Sequence, residues 1–138
     1  MQTDNKLFIY GTLLYEEVWL KIVGRHAHKY PAKVVGWCRK YMNNKLYPGI
    51  VRSHDNEVDG ALITGLSDGE WSKLDKFEDA VYTKKMLDVI VSDGAKVQAF
   101  AYIIEENDIA SLSDKIWLPQ DFEKNELDIF LGKLNQYK

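Results

Sequence analysis

Few places in this chain carry groups able to do chemistry, and most fail an elementary test. Cys38 is the only cysteine, and it sits inside a β-rich run beside Trp37 with no base implied by the pattern, so it reads as packing rather than as a nucleophile. His26 and His28 share a face if the chain is extended there, but no Cys, Asp or Glu at ligand spacing joins them to make a metal site. Ser53-His54-Asp55 matches a catalytic triad in residue type only. Three consecutive side chains cannot form that relay, whose members are brought together by the fold. No G-x-G-x-x-G and no Walker pattern follows the first apolar run, so a dinucleotide or nucleoside triphosphate lacks the glycines it would need.

Two features pass. The first is Lys6-Leu7-Phe8-Ile9-Tyr10-Gly11-Thr12-Leu13-Leu14. An apolar run containing β-branched Ile9 and stopped by Gly-Thr predicts a buried strand that ends in a loop. Gly11 has no Cβ, so it admits unusual backbone angles and close approach of a second group. Tyr15 to Val23 carries apolar groups at helical spacing with acidic residues early, so a helix starts soon afterwards. Strand, glycine loop and helix start form an anion-site layout, in which the N–H groups of Gly11, Thr12, Leu13 and Leu14 could converge on a carboxylate or phosphate. The same stretch also fits a plain tight connection.

The second feature is Glu78. Ser67-Asp68-Gly69-Glu70 is a capping box and predicts a helix start. At about 100° per residue, Trp71, Leu74 and Phe77 share one side and Glu78 falls between Leu74 and Trp71, which turns a carboxylate inward. Asp75 flanks the stripe, and Ser72, Lys73, Lys76 and Asp79 take the opposite or lateral surface. If the helix ends sooner, Glu78 is simply solvated. An N–H loop beside one inward carboxylate suits proton transfer on a small acidic metabolite.

The elements that must position these groups follow from the rest of the chain. Residues 24–31 are polar and broken by proline, and read as a loop. Residues 33–42 form a strand with a bulge or close-packing point at Gly36. Residues 46–52 make a short strand bent by Pro48-Gly49, residues 53–57 a turn, and residues 58–66 a central strand whose glycines imply close backbone approach. Residues 82–91 and 95–104 flank Ser92-Asp93-Gly94, a strong hairpin signal, with Leu87, Val89 and Val91 on the core face. Residues 105–115 read as a polar connector. Phe122, Leu127, Phe130, Leu131 and Leu134 recur at helical spacing and predict a C-terminal helix at about 119–136. Antiparallel strands with helices between them predict an α+β fold, a small, mostly antiparallel mixed β-barrel or curved sheet with flanking helices.

Composition bounds the setting. One domain over residues 1–138 is expected, with a core that needs no disulfide or metal. A net charge of −3 and the absence of a basic face argue against nucleic acid. The single cysteine excludes an internal disulfide framework and favours a reducing, cytoplasmic location. No run approaches the ~18 apolar residues of a membrane span.

Tyr10-Gly11-Thr12-Leu13 after the first strand, Tyr47-Pro48-Gly49 in the middle, and Leu74-Asp75-Lys76-Phe77-Glu78-Asp79-Ala80-Val81-Tyr82 closing a helix before a strand resemble the γ-glutamylcyclotransferase-like family, including its AIG2-like members. The resemblance spans Leu7 to Ile104, and Trp117 through Phe130, with Asp121-Phe122-Glu123, is similar to the tail of the AIG2-like branch. It implies a small mixed barrel, a small-molecule γ-glutamyl substrate held by Tyr10 to Leu13, Glu78 as catalytic acid/base, Tyr82 as a nearby hydroxyl donor, and no metal or organic cofactor. The implied reaction cyclises the γ-glutamyl group to 5-oxoproline and releases an amine. Where family members often have arginine two residues after the tyrosine, this chain has Lys84, a point charge in place of a planar fork. The alternative is a non-catalytic module binding a γ-glutamyl or other small carboxylate ligand. The sequence specifies neither the leaving amine nor the oligomeric state.

Overall fold

The computed structural model describes residues 5–78 and 80–134. Among these residues, six strands, β1 (Leu7–Ile9), β2 (Tyr30–Met42), β3 (Pro48–Ile63), β4 (Tyr82–Val91), β5 (Lys96–Ile104) and β6 (Leu112–Ile116), run in the order β3-β1-β5-β4-β2-β6. An additional β3–β2 pairing closes the first five into a barrel and leaves β6 on the margin of β2. β1 and β5 pair in parallel; the other pairings are antiparallel. This is the mixed, mostly antiparallel α+β barrel anticipated from the strand pattern.

Alternation along β1 divides the core in two, because successive strand residues point to opposite faces. Phe8 and Tyr10 turn into the barrel with Val34, Val58, Leu62, Leu87, Val89, Ala99 and Ala101. Leu7 and Ile9 face outward onto the helices, among Trp19, Leu74 and Trp117. β3 crosses β1 so tightly at Gly60 that a Cβ there would lie 2.2 Å from the Ile9 carbonyl oxygen. Only glycine fits that crossing.

The helices are α1 (Glu16–Val23), α2 (Asp68–Phe77), α3 (Pro119–Asn125) and α4 (Leu127–Leu134). α2 begins with the expected reciprocal cap: Ser67 Oγ accepts from the Glu70 N–H at 3.2 Å and Glu70 Oε1 accepts from the Ser67 N–H at 3.1 Å. The hairpin at Ser92-Asp93-Gly94 also forms, with Gly94 at φ +90°.

Elsewhere the chain departs from its sequence-based expectation. β2 begins at Tyr30, inside the expected loop, and carries Pro31 at its start. The expected turn at residues 53–57 is part of one long β3. Val35 pairs with Glu57 and Trp37 with Arg52, so Gly36 (φ +90°) faces residues 53–56 as a wide bulge. The polar composition marks that bulge, and the flanking ladder continues past it. The connector at 105–115 contains a 3-10 helix and β6, which pairs Lys40 with Ile116 and Met42 with Leu112. β6 buries only Leu112, so it lacks the alternation that would reveal it. The C-terminal helix is broken at Glu126 (φ −129°, ψ −17°) into α3 and α4; residues 135–136 of its expected span lie outside the described residues. Among the described residues, no helix is long and apolar enough to cross a membrane.

Candidate functional site

A cavity of about 330 Å³ opens where the end of β1, the β2–β3 turn, the C-terminus of α2 and α4 meet. Its volume lies in the range of small-metabolite sites. Tyr10, Gly11, Thr12, Leu13, Glu78 and Tyr82, the residues singled out from sequence, all line it.

After β1 the chain makes a 3-10 turn over Thr12–Leu14. The Leu14 N–H donates to the Gly11 carbonyl at 3.0 Å, so of the four expected anion donors Leu14 is spent inside the turn. Thr12 and Leu13 supply the leading N–H groups, which a helical turn leaves without internal partners. Gly11 has φ −128°, outside the left-handed region, and the space around it requires a glycine. A Cβ on it would stand 2.8 Å from Pro48 Cγ.

The loop is tied down from below by Arg39. Its Nη1 donates to the Tyr10 carbonyl at 2.7 Å and the Asp59 carbonyl at 3.0 Å, and its Nε to the Trp117 carbonyl at 3.1 Å. The guanidinium also lies 5.3 Å from the Trp117 ring centroid. Burial lowers its pKa, while the negative charge of Asp59 opposes the shift. Nothing in the local pattern of β2 marks Arg39, because its three acceptors come from distant parts of the chain.

Glu78 reaches the cavity by a different route from the helical projection. α2 stops at Phe77, and Glu78 is its cap with extended angles (φ −74°, ψ 143°), its N–H donating to the Leu74 carbonyl at 3.0 Å. The half-buried side chain lines the cavity with Phe77 on one side and Tyr82 following in β4. Burial, and then the negative charge of Glu78, raises the pKa of Tyr10. Tyr102 is raised in the same direction by burial, by its hydrogen bond to Asp75, and by the charges of Asp75 and Glu78. The carboxylate therefore acts electrostatically on both phenols.

Those phenols are already committed as donors. Tyr10 Oη donates to the Tyr102 carbonyl at 2.6 Å, Tyr102 Oη to Asp75 Oδ1 at 2.6 Å, and Tyr82 Oη to the Pro48 carbonyl. Tyr102 and Phe130, both cavity-lining, escaped the sequence reading. Tyr102 looks like one more apolar residue of a strand, and Phe130 like a helix packing residue. Lys84 sits away from the cavity, with Nζ 3.3 Å from Asp75 Oδ1 and 4.3 Å from the Trp71 ring centroid. Asp79 lies outside the described residues.

The other candidates stay apart from the cavity. Cys38 is half-buried on β2 opposite Val51. His26 pairs with Glu16 on the surface, and Ser53-His54-Asp55 lies in the bulge of β3. No group of three or more metal-ligating side chains occurs among the described residues.

Comparison with known proteins finds relatives of this chain in sequence and in fold. A family model described as gamma-glutamyl cyclotransferase, AIG2-like, matches residues 7–121. AIG2-like protein C of Arabidopsis thaliana is 28% identical over 132 residues, 95% of this chain and 76% of that protein. A solution structure from Arabidopsis thaliana superposes with a TM-score of 0.72 at 26% identity, covering 96% of this chain and 80% of its own. A structure titled gamma-glutamyl cyclotransferase shares the fold with a TM-score of 0.66 at 16% identity, covering 95% and 86%.

Proposed function

We propose that this chain, which belongs to the gamma-glutamyl cyclotransferase, AIG2-like family, cyclises the γ-glutamyl group of a small peptide, amino acid or amine to 5-oxoproline. The observation that carries the reading is that a half-buried carboxylate, Glu78, and the Thr12–Leu13 turn line one cavity. In this reading the substrate α-amine attacks its own γ-carbonyl. A new C–N bond closes the five-membered ring, the bond to the leaving nitrogen breaks, and Glu78 carries the proton from the α-amine to that nitrogen.

The surroundings suit each part of this reaction. The turn N–H groups stand as donors for the substrate carboxylate or for the oxyanion of the tetrahedral intermediate. Tyr82 and Tyr102 direct their hydroxyl hydrogens to Pro48 and Asp75, so in this reading either phenol meets the substrate amine as an acceptor, a different part from the donor role expected of Tyr82. Holding the glutamyl chain folded over itself removes most of the entropic cost of ring closure. The entire chain serves as one domain in this scheme, with α4 contributing a wall of the site.

A panel of γ-glutamyl amino acids, peptides and amines, assayed for 5-oxoproline release, tests the proposal. Release from at least one compound is the expected result. Tight binding of one compound with no release from any would favour a carboxylate-binding module instead.

A further inference from the structure

We infer that Lys45 and Lys76 are specificity-determining residues that select a negatively charged leaving amine. The inference rests on the cyclotransferase reading and concerns which γ-glutamyl compounds it uses. Lys45 comes from the β2–β3 turn, which is pinned by the Lys45 N–H donating to the Met42 carbonyl at 3.1 Å and by Asn44 at φ +63°. Lys76 comes from the last turn of α2, two residues before Glu78. Two separate elements thus each contribute a lysine to the lining of the same cavity.

Other basic side chains are occupied in other ways. Lys84 faces Asp75, Lys73 donates to the Val23 carbonyl, Lys29 pairs with Glu16 and Arg25 with Glu70. Neither Lys45 nor Lys76 has an acidic partner among the described residues. Glu78 is the one carboxylate among the described lining residues, so two cations stand against one anion.

Depth separates the two ends of a substrate. Tyr10, Thr12, Leu13 and Pro48 are buried and form the floor, whereas Lys45 and Lys76 are exposed and form the rim. A γ-glutamyl head reacting at Glu78 occupies the floor, and its α-amine and α-carboxylate cancel in charge. The leaving group then extends toward the rim, where a carboxylate meets two ammoniums and a second cation meets repulsion. An amino acid or acidic peptide fits this rim better than a neutral or cationic amine.

The test uses three γ-glutamyl compounds whose leaving groups carry increasing charge: γ-glutamyl-ethylamine, γ-glutamyl-alanine and γ-glutamyl-aspartate. In the wild-type protein kcat/KM for 5-oxoproline release should rise along the series by roughly 2- to 30-fold, the range for two exposed charge contacts, and the rise should shrink in high salt. The Lys45→Gln/Lys76→Gln double variant, with folding verified by thermal melting, should flatten the series, mainly through KM. A flat wild-type series with product formed would overturn the lysine assignment and leave the cyclotransferase reading intact. Equal losses on all three substrates in the double variant would also overturn it, because the lysines would then be holding the glutamyl head. Absence of 5-oxoproline from every compound tried, including these three, would remove the underlying reading and this inference together.

Discussion

Gly11 and Pro48 stand so close that a Cβ on the glycine would lie 2.8 Å from the proline Cγ and 3.0 Å from its Cδ. The two motifs that look independent in sequence are thus one interlocked unit, with the β2–β3 turn packed against the loop that ends β1. Tyr82 reinforces it from a third element by donating to the Pro48 carbonyl.

Gly11→Ala is therefore expected to cost stability as well as affinity, although the sequence pattern points mainly to affinity. The proline ring cannot swing aside as a flexible side chain would, so overpacking by about 1–3 kcal/mol is expected. Pro48→Ala in the same chain should recover part of the loss. Chemical denaturation of the four proteins of this cycle measures the coupling. Purely additive effects would show that the contact has no energetic weight.

Glu78→Gln keeps size and hydrogen-bonding capacity but cannot act as a base. Turnover at saturating substrate should fall by about 10²-fold or more while ligand binding persists. Wild-type turnover by this variant would sink the mechanism, whatever the family.

Asp75 accepts from Tyr102 and faces Lys84. Asp75→Asn retains an acceptor and should change rates only modestly, by a few-fold, whereas Asp75→Ala frees the Tyr102 hydroxyl hydrogen and should lower kcat/KM further. Steady-state rates for the pair decide this. Equal behaviour of the Asn and Ala variants would show that the orientation of Tyr102 does not matter.

Tyr41 Oη donates to Glu126 Oε1 at 2.8 Å, linking β2 to the break between α3 and α4. Burial, followed by the Glu126 hydrogen bond, pushes the Tyr41 pKa up to about 12. An unfolded tyrosine titrates near 10. The folded state thus holds this proton more tightly, so its stabilising contribution is complete below about pH 10 and is lost as pH rises toward about 12. Melting temperatures across this window should fall less steeply for Tyr41→Phe than for wild type; parallel curves would refute the linkage.

Trp117 and Phe122 are fully buried, and Phe130 both packs against Phe122, with ring centroids 5.8 Å apart, and lines the cavity. Truncation before Trp117 should lower the melting temperature sharply, since loss of a buried large aromatic side chain alone costs about 3–5 kcal/mol. It should also remove turnover, because a cavity wall is lost. A truncated protein that melts like wild type would make the tail dispensable.

The features legible from sequence are those encoded locally. A capping box, an Asp-Gly hairpin and an apolar run ended by glycine each draw on neighbours within a few residues, and α2, the β4–β5 hairpin and β1 follow from them. The family resemblance carried this further, to Tyr10 through Leu13, Glu78 and Tyr82, which share one cavity. The route to that cavity was not legible. Whether Glu78 continues the helix or caps it depends on where β4 must begin, and the cap geometry, not the helical stripe, directs its carboxylate. Tertiary structure alone decided that Arg39 would grip the carbonyls of Tyr10, Asp59 and Trp117, and that Tyr102 would give its hydrogen to Asp75. It alone brought Lys45, Lys76 and Phe130 to one cavity. Closing a barrel pairs residues far apart in the chain, and such contacts are selected by shape, burial and hydrogen-bond satisfaction across the whole fold, which no local period records.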